Sequence, residues 1–166
     1  LWAAGTKPYA GERVTLPETT CYPRPVADVP IIVGGNGEIR TLRIAARLAD
    51  GANLPSRLGV LERKIAVLRR HCEAVGRDPG EVEVTVLDVP IVGRDRDDAW
   101  SRVERLRGRT AAANYAERHH AGTLEDHVRR YEQLANRGVR RSFVALPDLQ
   151  GPDDVLALAP LTAAMS

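Results

Sequence analysis

The chain has 166 residues, of which 43% are hydrophobic and 28% charged, with a formal net charge of +2. This size and composition suit one domain (residues 1–166) with a buried core, exclude a disordered or collagen-like chain, and leave no apolar run long enough to span a membrane. Two cysteines are too few for a disulfide scaffold and fit the cytoplasm, and interleaved acidic and basic residues give no support to a nucleic-acid partner.

A short β-branched run at residues 30–33 predicts the first clear strand, after a connecting segment at residues 1–29. Because glycine ends the run abruptly, we expect this strand to be buried on both faces. Residues 38–49 predict an amphipathic helix. Residues 51–54 are compatible with a brief strand. The apolar face of the helix is expected to consist of Ile39, Leu42, Ala46 and Ala49.

The clearest helical pattern lies at residues 58–75, where apolar side chains recur without a break at spacings of three and four. Ser56 is the expected N-cap, and Gly76 with the following Pro79 ends the helix. Residues 82–92 are strongly apolar and predict a strand that is interrupted near a proline.

The last third of the chain continues the alternation of helices and strands. Residues 95–106 and 123–138 predict helices, the first with an aspartate cap and the second with a start typical of a capping box. Between them, residues 107–122 have weak periodicity and predict a mixture of loop and helix. Residues 139–146 predict a strand, and Pro152 is a favoured first-turn residue of a final helix.

Strands that alternate with helices predict an α/β fold of parallel βα units. Four candidate strands do not close an eight-stranded barrel, so the alternatives are a standalone sheet and part of a larger barrel. The opening Leu1-Trp2, without an initiator methionine, favours the larger barrel. Since part of a barrel exposes strand edges and apolar faces, we expect association with further barrel strands or homo-oligomerisation.

The most informative candidate site is the glycine turn, which we define as Gly34, Gly35, Asn36 and Gly37. It follows a strand and precedes a helix, where free N–H groups and the helix dipole favour a phosphate, and glycine admits close approach. Its spacing matches neither the dinucleotide fingerprint nor the P-loop. A tight βα turn without a ligand would have the same sequence, so both interpretations remain open.

Other chemically active side chains give weaker signals. His119, His120 and His127 lie within nine residues of each other, but no zinc-ligand spacing accompanies them, so we expect solvated or packed histidines and no metal. Cys72 lies on an apolar helix face and is expected to be a core thiol. Neither a nucleophile elbow nor a pair of carboxylates stands out, and we nominate no catalytic residue.

Several linked stretches resemble the luciferase-like monooxygenase family, and above all its branch that uses the deazaflavin coenzyme F-420. They cover essentially the whole chain. They are PIIVGG (30–35), RTLRIAAR (40–47), ADGANL (49–54), HCEAVGRDP (71–79), GTLED (122–126) with GV (138–139), and the opening LW (1–2), YAGE (9–12) and YPRPV (22–26).

The resemblance implies the carboxyl-terminal part of a TIM-like (β/α)8 barrel that binds a flavin or deazaflavin at the carboxyl ends of its strands. Family members transfer a hydride or activate oxygen on a small-molecule substrate. They are roughly twice as long, as an eight-stranded barrel requires, and the residues that usually touch the reacting ring lie in the other half. The cofactor-binding residues that the resemblance implies are Val33, Gly34, Gly35, Asn36, Gly37 and Arg40.

In this interpretation the glycine turn binds the cofactor phosphate through backbone amides, and Val33 flanks the ring. Arg40 either adds a charged contact or is simply a solvated helix residue. F-420 is the expected cofactor and FMN the alternative, because both present a phosphate to the same turn. The alternative function is a non-catalytic half-barrel that acts as a binding or structural module.

Overall fold

The computed structural model describes residues 8–17, 23 and 25–163, and the chain divides into two compact units, Leu1–Pro30 and Ile31–Ser166. In the first unit, β1 (Tyr9–Ala10) and β2 (Thr15–Leu16) form an antiparallel hairpin. The sequence features that lie outside the described residues are the opening Leu1-Trp2, Cys21, Tyr22 and Arg24.

The second unit is built on a four-stranded parallel sheet with the strand order β3-β4-β5-β8. Helices connect the first three strands in sequence, so the predicted parallel βα units are confirmed. The strands are β3 (Ile32–Gly34), β4 (Gly51–Pro55), β5 (Glu83–Asp88) and β8 (Val139–Val144), and the connections are α1 (Thr41–Leu48) and α2 (Leu58–Ala74), the latter followed by a 3₁₀ turn at Pro79–Glu81.

A helical segment with a small sheet separates β5 from β8. Two short strands, β6 (Val92–Gly93) and β7 (Gly122–Thr123), pair in parallel there. The aspartate cap and the capping box predicted for its two longer helices are both present. The remaining helices are α3 (Arg96–Leu106), α4 (Ala112–Arg118), α5 (Leu124–Asn136), and, after β8, α6 (Pro152–Leu156) and α7 (Ala159–Ala163).

The core lies where α1, α2 and α5 cover the sheet. Each helix contributes one apolar face, as its periodicity predicts. Buried side chains of β4 and β5 pack in the same core. Val75, the last residue of the predicted α2 stripe, is instead 44% exposed, because the helix ends at Ala74 and Gly76 turns the chain with a φ of 70°. Fully buried members of the core include Leu42, Ala46, Leu54, Leu61, Cys72, Val86 and Leu134.

Three local predictions are wrong at the start of the second unit. The first strand begins at Ile32 and is only half-buried, because it has a single described neighbour, β4. Helix α1 begins at Thr41, so that Ile39 lies in the preceding turn and is 77% exposed. Ser56 does not cap α2: its hydroxyl donates a hydrogen bond to Asp88, and Arg57 occupies the N-cap position.

We expect Gly93→Ala to destabilise the fold by about 1–3 kcal/mol, measured as the free energy of unfolding in denaturant. A β carbon at Gly93 would lie 2.3 Å from the backbone nitrogen of Ala99, so α3 would have to move. The control is Gly59→Ala in α2, where a β carbon meets nothing within 4 Å and alanine favours the helix by about 0.5–1 kcal/mol. Equal stability of the two variants would contradict this close approach.

Candidate functional site

Two adjacent cavities open at the carboxyl ends of β3, β4 and β5. The first, of about 460 Å³, is lined by Asn36 after β3, Pro55 at the end of β4 and Leu87 near the end of β5, and we call it the sheet-side cavity. The second, of about 490 Å³, lies against α2 and α5, and we call it the helix-side cavity. The residues that line both are Ser56, Arg57, Glu117 and His120. The carboxyl ends of three parallel strands therefore share one cleft.

The glycine turn borders the sheet-side cavity and requires glycine at two positions. Gly35 has a φ of 145°, and a β carbon there would lie 3.1 Å from Cγ2 of Thr41; one at Gly37 would lie 2.8 Å from Oγ1 of the same threonine. The turn is exposed, and in the described part of the chain the N–H groups of Asn36 and Gly37 donate to no other residue. The turn therefore offers backbone donors that an anion can approach closely.

A buried lysine holds this turn in place. Lys64 of α2 is 6% exposed, and its Nζ donates to the carbonyl of Asn36 at 2.6 Å and to Oε1 of Glu38 at 2.9 Å. The hydrogen bond from Lys64 lowers the pKa of Glu38. On the same helix, Nε2 of His71 lies 2.8 Å from the carbonyl oxygen of Glu38. These contacts draw residues 36–38 toward α2, which explains why α1 starts only at Thr41.

The helices that begin at this edge of the sheet lack the usual N-terminal caps. The N-cap residues of α1 and α2 are Arg40 and Arg57; neither makes a side-chain capping bond, and neither helix has an acidic residue in its first turn. By contrast, α3 and α5 are capped by Asp95 and Thr123 and carry acidic residues in their first turns. Cations at helix N-termini are unfavourable unless an anion accompanies them. The two arginine-started helices therefore favour an anionic ligand.

Asp88, the last residue of β5, is the centre of a buried polar network that the sequence interpretation missed. It is 3% exposed and accepts hydrogen bonds from Ser56 Oγ at 3.0 Å, Tyr131 Oη at 3.0 Å and Arg130 Nη1 at 2.5 Å. Arg130 also donates to the Ser56 carbonyl at 3.1 Å, and burial raises the pKa of Tyr131, which keeps its hydroxyl a donor. A single acidic residue at the end of an apolar strand was the available signal.

His119 and His127 are packed against one segment, residues 89–91. His127 is 1% exposed and its Nε2 lies 3.2 Å from the Ile91 carbonyl, whereas its Nδ1 has no hydrogen-bond partner among the described residues. Nδ1 of His119 lies 2.8 Å from the Val89 carbonyl. The prediction of packed histidines is confirmed for these two. Burial lowers the pKa of His127 and of His120. No described residues form a group of three or more His, Cys, Asp or Glu side chains placed for a metal ion.

The predicted cofactor-binding residues occupy three kinds of position. Asn36 lines the sheet-side cavity, and Val33 and Gly34 lie in the half-exposed end of β3. Gly35 and Gly37 complete the exposed turn beside Asn36. Arg40 is exposed at the N-cap of α1 and lines neither cavity. The sequence did not indicate that Ser56, Arg57 or His120, which line both cavities, belong to the candidate site.

Comparison with known proteins agrees with this architecture. A family model described as luciferase-like monooxygenase matches residues 1–153. An F-420-dependent secondary alcohol dehydrogenase, solved with an F-420–acetone adduct, is similar with a TM-score of 0.78 and 17% identity, over 100% of this chain and 58% of that one. The coenzyme F-420-dependent tetrahydromethanopterin reductase from Methanopyrus kandleri has a TM-score of 0.67 and 18% identity, over 92% and 55%.

A third similar structure is the EDTA monooxygenase from Chelativorans sp. BNC1, with a TM-score of 0.69 and 14% identity, over 94% of this chain and 49% of that one. At these identities the likeness shows the fold, and it confirms the prediction of an α/β fold with the parallel βα units of a TIM-like barrel. The chain spans about half the length of these structures.

No curated protein matches the sequence. None of the described helices has the length and apolar character of a membrane span.

Proposed function

Because the chain belongs to the luciferase-like monooxygenase family, we propose that it acts in a flavin- or deazaflavin-dependent oxidoreductase, by hydride transfer or monooxygenation of a small-molecule substrate. F-420 is the cofactor we favour, with FMN as the alternative; two of the similar structures are described as F-420-dependent. When bound, this cofactor supplies the redox chemistry. The described residues of this chain bind and orient it.

The single observation that carries this proposal is the unusual pair of neighbouring helix starts. α1 and α2 follow adjacent parallel strands, and both begin with an arginine, no side-chain cap and no acidic first-turn residue. Beside them lies the glycine turn, in which the N–H groups of Asn36 and Gly37 donate to none of the residues that the structure describes. A phosphate at this edge would accept hydrogen bonds from the turn and neutralise Arg40 and Arg57. These residues therefore fit the phosphate end of the cofactor.

The other proposed contacts follow from the same placement. The amides of Gly34 and Gly35 lie at the end of β3, where the backbone leaves the sheet beside the cavity, and Val33, which precedes them in the strand, would flank the ring. Lys64 orients the turn through the carbonyl of Asn36 rather than by meeting the ligand, because its ammonium is buried and already paired. The turn is thus preorganised for its ligand.

The test is a titration of the protein with F-420 and with FMN, each beside its dephosphorylated form, followed by absorbance and fluorescence. We expect one phosphorylated cofactor to bind at least ~100-fold more tightly than its dephosphorylated form, because two or three charge-assisted hydrogen bonds are lost with the phosphate. Equal affinity for the two forms would show that the glycine turn does not bind the cofactor phosphate. Binding of neither cofactor would favour the alternative, a non-catalytic binding or structural module.

Removing the arginine side chains at the helix starts should weaken cofactor binding. We expect Arg57→Ala and Arg40→Ala each to raise the Kd of the phosphorylated cofactor about tenfold, since an exposed charged contact contributes less than a buried one. The matched control is Arg47→Ala, an exposed arginine in the last turn of α1. A tenfold loss in the control variant as well would show that only the general positive charge matters.

A further inference from the structure

His120 adopts a left-handed backbone conformation, which is uncommon for a residue with a side chain. It is the one described residue other than glycine that has a positive φ, of 47°. The left-handed region brings the β carbon close to the backbone, so glycine is the usual residue there. A histidine at such a position points to a use for its side chain.

The surrounding chain imposes this conformation. On one side, His119 accepts a hydrogen bond at its carbonyl from Ile91 N at 3.0 Å. On the other side, Ala121 N donates to the Ala116 carbonyl at 2.9 Å and Gly122 N donates to the Ile91 carbonyl at 3.1 Å. Both flanks are therefore fixed independently of the residue at position 120, and glycine would meet the same backbone requirement at a lower cost.

The side chain of His120 lies where it would meet a ligand. It lines both the sheet-side and the helix-side cavity, and its ring makes no hydrogen bond to any residue that the structure describes. Asp88, the buried carboxylate nearby, is already saturated by three donors. The ring thus keeps a free N–H donor in the cleft. The charged and titratable groups that face it are Arg57 before α2, Asp88 on β5, and His127 and Arg130 on α5. The other charged groups that line its two cavities are Arg63, Lys64, Glu117, Arg118, Asp126 and Arg129.

We propose that His120 is a ligand-binding residue of this cleft and that its ring donates a hydrogen bond to the phosphate of the cofactor. The inference rests on the proposed function, since it takes the ligand from there. His120 and Asn36 line the same cavity of about 460 Å³, so a phosphate at the glycine turn lies at the border of the space that the ring enters. The His120 ring and the glycine turn therefore border the same cavity.

Two substitutions at position 120 test this proposal. The first is expected to maintain or raise stability while it weakens cofactor binding. His120→Gly relieves the backbone, so its thermal unfolding midpoint should equal or exceed that of the wild type. The same variant should bind the phosphorylated cofactor about tenfold more weakly, or worse, and the dephosphorylated form with nearly unchanged affinity. His120→Asn keeps a side-chain N–H donor and tolerates the left-handed region, so it should lose less than about threefold.

Glu132→Gln is the control, because Glu132 is an exposed acidic residue of α5 that lines neither cavity. We expect this variant to bind the phosphorylated cofactor as well as the wild type does. The proposal is overturned if His120→Gly binds the phosphorylated cofactor like the wild type, loses affinity for both forms equally, or unfolds at a lower temperature. Failure of the wild type to bind either cofactor would instead overturn the proposed function on which it rests.

Discussion

Replacing Gly35 with valine is expected to weaken binding of the phosphorylated cofactor by at least ~100-fold, since it removes two or three charge-assisted hydrogen bonds of roughly 1.5–3 kcal/mol each. The φ of 145° at Gly35 is one that a β-branched residue avoids, and its β carbon would lie 3.1 Å from Cγ2 of Thr41. The turn would rearrange, and the side chain would cover the amides that a phosphate must reach. The measurement is the Kd for the phosphorylated and dephosphorylated cofactor.

The matched control is Gly76→Val. Gly76 also has a positive φ, of 70°, but it ends α2, and a β carbon there meets nothing within 4 Å. This variant should lose stability through the same kind of backbone strain while keeping the wild-type Kd. Circular dichroism should show that both variants remain folded, because both positions lie in exposed turns. A Gly35→Val variant that binds like the wild type would make the glycine turn a purely structural feature.

The elements that the sequence predicted well are those specified by local interactions. In α2, apolar residues at spacings of three and four determine the buried face, and Leu61, Leu68 and Cys72 are all buried. In α5, Thr123 and Asp126 form the predicted capping box from residues three apart. Such contacts are contained in a short window of sequence. The alternation of these helices with apolar runs then suffices to predict parallel strands.

The local errors arise where distant residues override the local pattern. Ser56 has the composition of an N-cap, but Asp88, 32 residues later, accepts its hydroxyl hydrogen bond. Ile39 continues the apolar spacing of α1, but Lys64 binds Glu38 from 26 residues away and keeps this segment outside the helix. Neither partner is visible in a window of a few residues. Tertiary hydrogen bonds therefore determined these boundaries.

The candidate site also has a part that local sequence signals predicted and a part that only distant residues form. The glycine turn was visible because glycines after a strand are a local signal, and its geometry requires them at positions 35 and 37. The cleft beside the turn was not visible, because Ser56 and Arg57 are separated by many residues from Glu117 and His120 and meet them only in the folded chain. Asp88 could have been suspected, as a single acidic residue that ends an apolar strand. Its partner Arg130, 42 residues away, could not.

Breaking the buried network at Asp88 should have the largest effect on stability. We expect Asp88→Ala to lower the free energy of unfolding by about 3–5 kcal/mol, because it leaves a buried cation uncompensated. The Arg130 side chain is 12% exposed and pairs with Asp88, and Ser56 Oγ and Tyr131 Oη also lose their acceptor. Since Ser56 and Arg130 line the cleft, the same substitution should also weaken cofactor binding. Stability is measured by denaturant unfolding.

The matched control is an exposed ion pair toward the other end of β5, where Arg141 of β8 pairs with Glu83 at 3.1 Å. Arg141→Ala should cost less than about 1 kcal/mol, because that pair remains hydrated. The double variant Asp88→Leu with Arg130→Met should be less destabilised than either single change, since no charge is then buried alone. If Asp88→Ala and Arg141→Ala cost the same, the Asp88 carboxylate is not the centre that joins β4, β5 and α5. If the double variant is as unstable as the sum of its single changes, the network contributes through packing rather than through the mutual compensation of two buried charges.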